Sequence, residues 1–226
     1  MNFENTKLYA ASVSSLEDAE LYRLAYNNAS SERRQKVDRY RFDKSKRLSL
    51  GAEMLLQYGL RQANVEYDQV RIKTGQWGKP SFENSHLFYN ISHSEDWVMC
   101  AISENEIGCD IEKIQSANLK VAERFYCPEE YSHIAEQESE DDKDLLFHRY
   151  WTLKESFIKA TGLGLKLPLN DFRIELGENI TIAQTVDERK YSFAEFSDVP
   201  GYCCAACFVG ERPKAELKLI DLHSCL

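Results

Sequence analysis

Two long helical patterns, each flanked by short strand patterns, constrain the fold of this chain more than any other feature. The first follows Asp43, a suitable residue to begin a helix. Its apolar positions repeat with the helical period and are Leu48, Ala52, Leu55, Leu56 and Leu60. The second runs from Leu145 to Ala160, where Gly162 and Gly164 end it and Pro168 bars a continuation. Long helices beside short strands indicate a mixed α and β fold.

The strand patterns suggest that this plan occurs twice. They lie at residues 7–13, 69–74, 87–92 and 97–103 in the first half, and at 107–112, 172–176, 180–186, 191–196 and 202–209 in the second. A polar turn at 104–106 separates the two sets. The sequence therefore predicts an α+β fold with two pseudo-symmetric subdomains, 1–104 and 105–226, each an antiparallel sheet packed by a long helix. The duplication rests on element order, because the residues themselves show no repeat.

The composition is that of a globular protein: 226 residues, of which 43% are hydrophobic and 29% charged. The first residues lack the basic and apolar regions of a secretory signal. No stretch approaches the ~18 apolar residues that a membrane span requires. We therefore expect a cytoplasmic protein without a membrane partner.

The seven cysteines do not suggest a disulfide framework, because their number is odd and they are scattered along a long chain. Cys204 and Cys207 form a C-x-x-C within the predicted strand 202–209. On a strand these two side chains would face opposite sides, which is poor geometry for a dithiol or a zinc site. We interpret them as small core residues.

Positive charge is concentrated in one segment of an acidic chain whose net charge is −9. The segment from Arg33 to Arg47 contains eight basic and two acidic residues, so it carries a net charge of +6 and the remainder of the chain −15. An isolated basic patch favours an anion. A long nucleic-acid footprint does not fit the overall charge, so we expect a small polyanion or an acidic protein surface and no nucleic acid. The acidic run between Glu136 and Asp144 is interpreted as a solvated loop.

Three carboxylates and a lysine lie where a divalent metal and a phosphate could be held. Asp110 and Glu112 are two apart on a predicted strand, so they share one face while Ile111 points into the core. Glu155 and Lys159 are four apart on the second long helix and share a helix face. An oxygen-only donor set suits Mg²⁺. The alternatives are a solvated strand face and a surface ion pair.

Two short segments of the first half offer further anion ligands. Ser92 and His93 follow a predicted strand and could present a hydroxyl and an imidazole to a phosphate, or His93 could simply cap the turn. Lys79, in the turn after Gly78, is an anion ligand only if other features support it. A Ser/His/Asp hydrolase using His93 and Asp110 is a weaker alternative, since the chain has no G-x-S-x-G nucleophile elbow.

In this order, these pieces resemble the 4′-phosphopantetheinyl transferases of the surfactin-synthetase-activating type. The match covers residues 31–169 and includes the basic helix, W-G-K-P (77–80), N-I-S-H-S (90–94), G-C-D-I-E (108–112) and W-T-L-K-E-S-F-I-K (151–159). Each motif is weak alone, whereas the ordered set is specific. The resemblance implies coenzyme A bound in a cleft between two halves, Mg²⁺ on its pyrophosphate, and a carrier-protein serine that takes the phosphopantetheine as 3′,5′-ADP leaves.

The resemblance also implies roles for individual residues. The metal ligands would be Asp110, Glu112 and Glu155, and Lys159 would contact the pyrophosphate. The remaining coenzyme A ligands would be Arg33, Lys36, Gly78, Lys79, Asn90, Ser92 and His93. Glu155, or Glu130 through a water, would take the proton of the serine, and Lys154 would either stabilise the leaving phosphate or extend onto the surface.

The expected partners are coenzyme A and an acyl or peptidyl carrier protein, which the +6 segment would attract. One chain would supply both walls of the cleft, so we expect a monomer. Two alternatives use the same residues: a coenzyme A-binding module without catalysis, which would require a broken carboxylate set, and a metal-dependent phosphohydrolase, which would need no carrier.

Overall fold

The computed structural model describes residues 6–226, and Met1 to Asn5 lie outside the described part. The helices are α1 (Ala19–Asn28), α2 (Ser31–Arg39), α3 (Asp43–Gln62), α4 (Leu119–Phe125), α5 (Pro128–Ala135) and α6 (Glu140–Thr161). The strands are β1 (Lys7–Ser12), β2 (Ile72–Thr74), β3 (Pro80–Phe82), β4 (Phe88–Ser94), β5 (Trp97–Ser103), β6 (Ile107–Lys113), β7 (Arg173–Glu175), β8 (Thr181–Ala183), β9 (Tyr191–Phe196), β10 (Tyr202–Val209) and β11 (Leu217–Leu219). Short 3₁₀ turns occupy Val13–Glu17, Tyr67–Gln69, Gly164–Lys166, Leu169–Asp171 and Leu222–Cys225.

Both long helices are confirmed, but α6 begins five residues before the predicted start at Leu145. Ser139 caps it by accepting a hydrogen bond from the Asp142 amide at 3.0 Å. The acidic side chains of the first turn are stabilised there by the positive end of the helix dipole. Part of the acidic run predicted as a solvated loop is therefore helix.

Each long helix covers one sheet. The first sheet has the strand order β11-β1-β5-β4 and packs against α3. The second has the order β6-β10-β9, is antiparallel throughout, and packs against α6. The remaining paired strands of the described residues form two small hairpins, β2-β3 and β7-β8. The predicted α+β class is confirmed, whereas the different strand orders leave the pseudo-symmetry a prediction.

Strand alternation divides the interior into three cores. In β1, Tyr9 and Ala11 lie in the core beneath α3, while Leu8 and Ala10 lie in a core between the two sheets. In β6, Ile111 joins that shared core. Its neighbours of opposite parity, including Asp110 and Glu112, therefore face α6, as the two-residue period of a strand requires. Because of this alternation, the carboxylates of β6 face α6.

The last residues of the chain return to the first half. Strand β11 pairs in parallel with β1, and Leu222 and Cys225 are buried in the core beneath α3. Arg61 of α3 donates a hydrogen bond to the carbonyl of Cys225. A division at residues 104 and 105 thus separates the two sheets except for this C-terminal segment, which the sequence analysis assigned to the second half.

The interpretation of the cysteines as core residues is confirmed. All seven are buried and none forms a disulfide. Burial raises the pKa of Cys207 well above its usual range, which keeps it protonated and unreactive. Between residues 6 and 226, none of the helices combines the length and the apolar composition needed to cross a membrane.

Candidate active site

A cleft of about 900 Å³ lies between the two halves. Its lining residues from the first half are Trp77, Gly78, Lys79, Pro80, Asn90 and Ile91. From the second half it takes Val121, Phe125, Trp151, Glu155, Ile158, Lys159, Gly162, Gly164, Leu167, Pro168 and Leu169. The cleft therefore has an apolar wall of aromatic and aliphatic side chains and a charged end formed by α6.

Gly108 allows α6 to pack unusually close to β6. A Cβ atom at this position would lie 2.0 Å from the carbonyl oxygen of Ser156 and 2.5 Å from the amide nitrogen of Ala160. Both are backbone atoms that cannot move aside without shifting the helix. The close approach lets Lys159 reach across to Asp110 on the strand. Sequence reasoning included Gly108 in a motif but missed this role, which depends on a contact 48 residues away along the chain.

Lys159 lines the cleft and forms, together with the buried Asp110 and Ser92, a charged centre beside it. The Ser92 hydroxyl donates to Asp110 Oδ1 at 2.6 Å, and Lys159 Nζ lies 2.6 Å from the same oxygen and 2.8 Å from Ser92 Oγ. Burial would lower the pKa of Lys159, but the neighbouring Asp110 outweighs it and the pKa is raised. Lys159 is thus a cation at neutral pH. The structure thus brings the predicted site residues Ser92, Asp110 and Lys159 together.

Glu112 and Glu155 add negative charge beside Asp110. Burial and the adjacent Asp110 raise the pKa of Glu112 to about 7, although Ser94, which donates to Glu112 Oε2 at 2.7 Å, opposes the shift. Burial and Asp110 also raise the pKa of Glu155. Asp110 thus disfavours the ionised form of both glutamates. Such a cluster is suited to a cation that relieves the repulsion.

The cluster fits a divalent metal in its chemistry. Its donors are all oxygens, and Asp110 Oδ2 is buried without a hydrogen-bond partner. An unpartnered buried carboxylate oxygen is costly, so a ligand that occupies it would be favoured. Within residues 6–226, however, no three His, Cys, Asp or Glu side chains are arranged as a ready-made metal site. A cation held here would have few protein ligands and would complete its coordination with phosphate and water, as Mg²⁺ can.

The polar side-chain groups of Asn90 and Lys79 form hydrogen bonds with the backbone of other segments. Asn90 lies inside β4 rather than in a turn, and its Oδ1 accepts a hydrogen bond from the Cys109 amide at 2.8 Å, which ties β4 to β6. Lys79 Nζ donates to the carbonyls of Ile107 and Ala160 at 3.1 and 3.2 Å. Both residues line the cleft, but their observed contacts join the two halves. The prediction of a turn directly after residue 92 is wrong, since β4 continues to Ser94.

A smaller basic pocket of about 450 Å³ adjoins the cleft, with Pro80 and Ile91 lining both. It brings together the predicted anion ligands Arg33, Lys36 and His93. Partial desolvation and the positive charge of Lys159 lower the pKa of His93, so its imidazole is neutral at pH 7. The pocket also contains hydroxyl groups that the sequence analysis did not single out, those of Tyr40, Ser45, Ser49 and Tyr89.

The roles predicted for Glu130 and Lys154 do not agree with their positions in the structure. Glu130 is buried, Lys154 Nζ lies 2.8 Å from its Oε2, and its two oxygens accept hydrogen bonds from the amides of Cys127 and Ile174. Lys154 is completely buried and also donates to two backbone carbonyls. Neither side chain lines the cleft, so this geometry does not support Glu130 as a general base. Neither position predicted for Lys154, at the phosphate or on the surface, is observed.

Comparison with known proteins places the chain in a family. Residues 17–105 match the family model described as 4′-phosphopantetheinyl transferase, N-terminal, and residues 106–207 match that of the 4′-phosphopantetheinyl transferase superfamily. The transferase Sfp of Bacillus subtilis (strain 168) is 34% identical over 201 residues, which cover 87% of this chain and 89% of the relative. The chain belongs to the 4′-phosphopantetheinyl transferases. The family inferred from the motifs is therefore confirmed.

Other relatives of this transferase have comparable similarity. The transferase gsp of Aneurinibacillus migulanus is 32% identical over 192 residues, covering 84% of this chain and 80% of the relative. The transferase ffp of Bacillus subtilis is 35% identical over 203 residues, covering 87% and 89%.

Proposed function

We propose that this transferase moves the 4′-phosphopantetheine group of coenzyme A onto a serine of an acyl or peptidyl carrier protein, with Mg²⁺ at the pyrophosphate, and releases 3′,5′-ADP. The observation that carries the proposal is the charged centre beside the cleft. Asp110, with its unpartnered buried oxygen, stands beside Glu112, Glu155 and the cationic Lys159. Phosphoryl transfer requires such positioning and charge neutralisation more than it requires covalent chemistry by the protein.

In this proposal coenzyme A would occupy both cavities. The basic pocket with Arg33, Lys36 and His93 would take the 3′-phosphate. Gly78 and Lys79, which line the cleft, would lie along the adenosine portion. The apolar wall would accept the pantetheine arm, because it offers aliphatic and aromatic surface next to the charged centre.

In the proposed reaction the carrier serine oxygen attacks the β-phosphorus, and the bond from that phosphorus to the bridging oxygen breaks. The electron pair of the broken bond leaves with 3′,5′-ADP. Asp110, Glu112 and Glu155 would hold Mg²⁺, which would supply charge neutralisation and orientation of the pyrophosphate when bound. Lys159 would transfer its contact from Asp110 to a pyrophosphate oxygen. The serine proton would go to a carboxylate of the cleft, for which Glu155 is the candidate.

The carrier would be attracted by the outward part of the +6 segment. Of its basic side chains, Lys44, Lys46 and Arg47 form ion pairs with acidic residues. Arg39 and Arg41 are exposed on the protein surface instead. Arg33 and Lys36 line the basic pocket, whereas Arg39 and Arg41 would steer an acidic protein surface. The proposal includes a monomer, since one chain supplies both walls of the cleft. It also includes a cytoplasmic location and no nucleic-acid or membrane partner.

Intact-protein mass spectrometry of an apo carrier protein, incubated with this transferase, coenzyme A and Mg²⁺, tests the proposal. We expect the carrier to gain one phosphopantetheine and to gain none when EDTA is present. Coenzyme A binding without any gain on several carriers would favour the non-catalytic module. Hydrolysis of coenzyme A in the absence of a carrier would favour the phosphohydrolase.

A further inference from the structure

Glu53 is a buried carboxylate that lies outside the cleft yet contacts the basic pocket. It is on α3 and is 2% exposed. One of its oxygens accepts a hydrogen bond from the Ser30 amide at 2.6 Å, and the other accepts from the Ser30 hydroxyl at 3.0 Å and from Arg33 Nε at 2.9 Å. The carboxylate therefore joins the beginning of α2 to α3 and holds the side chain of a basic-pocket residue.

Helix capping does not explain why a charge is buried at this position. Ser30 already caps α2, because its hydroxyl accepts a hydrogen bond from the Arg33 amide at 3.2 Å. A buried carboxylate is expensive to desolvate and needs a partner. The charged partner of Glu53 is the guanidinium of Arg33.

The contacts of Arg33 leave its guanidinium oriented and still able to bind an anion. Nε donates to Glu53, and Nη1 donates to Ser49 Oγ at 3.2 Å. A guanidinium has five N–H groups, so these two contacts fix its plane while other N–H groups can face a ligand. Arg33 lines the basic pocket together with Lys36 and His93. A side chain fixed before binding loses less conformational entropy when the ligand arrives.

We infer that Glu53 is a positioning residue for recognition of the 3′-phosphate: it fixes Arg33 so that the guanidinium points into the basic pocket. The inference rests on the proposed function, which places the 3′-phosphate of coenzyme A there. It adds a specificity determinant on α3 that touches no substrate. Its effect should therefore appear only with a donor that carries the 3′-phosphate.

The test compares coenzyme A with dephospho-coenzyme A, which lacks that phosphate, as donors for Glu53→Gln. We expect the KM for coenzyme A to rise about tenfold, because a charge-assisted contact that orients Arg33 is weakened. The KM for dephospho-coenzyme A and both kcat values should stay within about twofold, since no group at the reacting centre changes. Glu32→Gln is the matched control, because it removes the same charge from an exposed side chain next to Arg33.

A double-mutant cycle separates positioning from a general structural role. In an Arg33→Gln background, Glu53→Gln should cause no further increase in the KM for coenzyme A. Equal increases for both donors, or fully additive effects of the two substitutions, would overturn the inference. Should Glu53→Gln fail to fold, Ser49→Ala removes the other anchor of Arg33 and should raise the KM for coenzyme A alone, by a smaller factor.

The wild-type protein distinguishes failure of this inference from failure of the proposed function. If the wild type does not prefer coenzyme A to dephospho-coenzyme A, the assignment of the basic pocket to the 3′-phosphate is wrong and the inference fails with it. If the wild type has that preference and Glu53→Gln keeps it in full, only the role of Glu53 is wrong.

Discussion

Helix α6 carries two lysine–carboxylate pairs that differ in what surrounds them. Lys154 and Glu130 are 2.8 Å apart, with side chains 0% and 1% exposed. Lys159 and Asp110 are 2.6 Å apart, with side chains 25% and 2% exposed. Five residues along a helix correspond to a rotation of about 140° from the first position, so the two lysines leave α6 on different sides. One enters the interior and the other enters the cleft.

The two pairs also differ in whether their hydrogen bonds are complete. Both oxygens of Glu130 have amide donors, and Lys154 donates to the carbonyls of Leu169 and Phe172 at 2.8 Å each. Asp110 Oδ2, by contrast, is buried without a partner. A saturated buried pair holds elements together, whereas an incomplete pair on a cleft has capacity for a ligand. Short distance and burial alone do not distinguish a structural pair from a functional one.

The largest effect is expected for Asp110→Asn. This substitution keeps the size of the side chain but removes the negative charge from the incomplete pair. We expect transfer to fall by at least about 10³-fold, because the charge that holds the metal and orients Lys159 is lost. Initial rates of carrier modification in Mg²⁺ measure the loss. A variant with near wild-type turnover would show that the metal assignment is wrong.

A control for Asp110→Asn is Asp198→Asn, at an exposed position in the turn before β10. It makes the same chemical change away from the cleft and should leave the rate unchanged. Circular dichroism should show that both variants are folded, so that a lost rate reports chemistry rather than unfolding.

Lys154→Met is expected to act on stability instead. It leaves the buried Glu130 carboxylate without its cation, and breaking a buried pair in this way costs about 3–5 kcal/mol. Urea unfolding monitored by tryptophan fluorescence measures the free energy of unfolding. The control is Glu129→Gln, which breaks a largely exposed pair with Arg173 and should change stability far less than Lys154→Met does.

Glu130→Gln tests the discarded role of Glu130 as a general base. At a temperature where the variant is folded, kcat per folded molecule should remain within about threefold of wild type, because the carboxylate does not reach the cleft. A loss of kcat by two orders of magnitude in a fully folded variant would restore Glu130 as a catalytic residue and remove the distinction between the two pairs.

Lys159→Met should make the melting temperature of the protein more dependent on Mg²⁺. Without its lysine, Asp110 is left as a buried charge, so the melting temperature should fall in the absence of metal. Mg²⁺ should then raise the melting temperature of this variant more than that of wild type, since the metal no longer competes with the lysine for Asp110. Differential scanning fluorimetry with and without Mg²⁺ checks this, and equal metal-induced shifts in both proteins would contradict it.

Much of the candidate site follows from local periodicity. The two-residue period of β6 places Asp110 and Glu112 on one face and Ile111 in the core. The helical period of α6 places Glu155 and Lys159 on one face, which lines the cleft. These relations depend only on residues a few positions apart, so the sequence alone contains them.

Contacts between distant segments could not be predicted in the same way. From the sequence, Lys154 could contact a phosphate or lie on the surface, because nothing near it in sequence shows that Glu130 and the carbonyl of Phe172 enclose it. The role of Gly108 depends on the backbone of α6. The return of β11 to β1 joins segments more than 200 residues apart. Each of these features is a product of tertiary packing.

The smallest expected effect is a shift in the pKa of His93. Desolvation and the positive charge of Lys159, with a smaller contribution from Lys36, hold this pKa below its ordinary value, while Asp110 opposes the shift. Removal of Lys159 eliminates a repelling cation and also exposes His93 to the uncompensated charge of Asp110. Both changes favour the imidazolium, so Lys159→Met should raise the pKa of His93.

Titration of the His93 ring protons by NMR measures this shift, with Lys154→Met as the comparison. Lys154 is enclosed by Glu130 and backbone carbonyls on another side of α6, so its removal should leave the His93 titration unchanged. The sign matters for function, because a neutral His93 must gain a proton to pair with a phosphate dianion. A preference for coenzyme A over dephospho-coenzyme A should accordingly weaken in wild type as pH rises past the pKa of His93, which is lowered from its ordinary value of 6.5, and that pH dependence should disappear in His93→Gln. If both lysine variants shifted the His93 pKa equally, the electrostatic separation of the two pairs on α6 would be wrong.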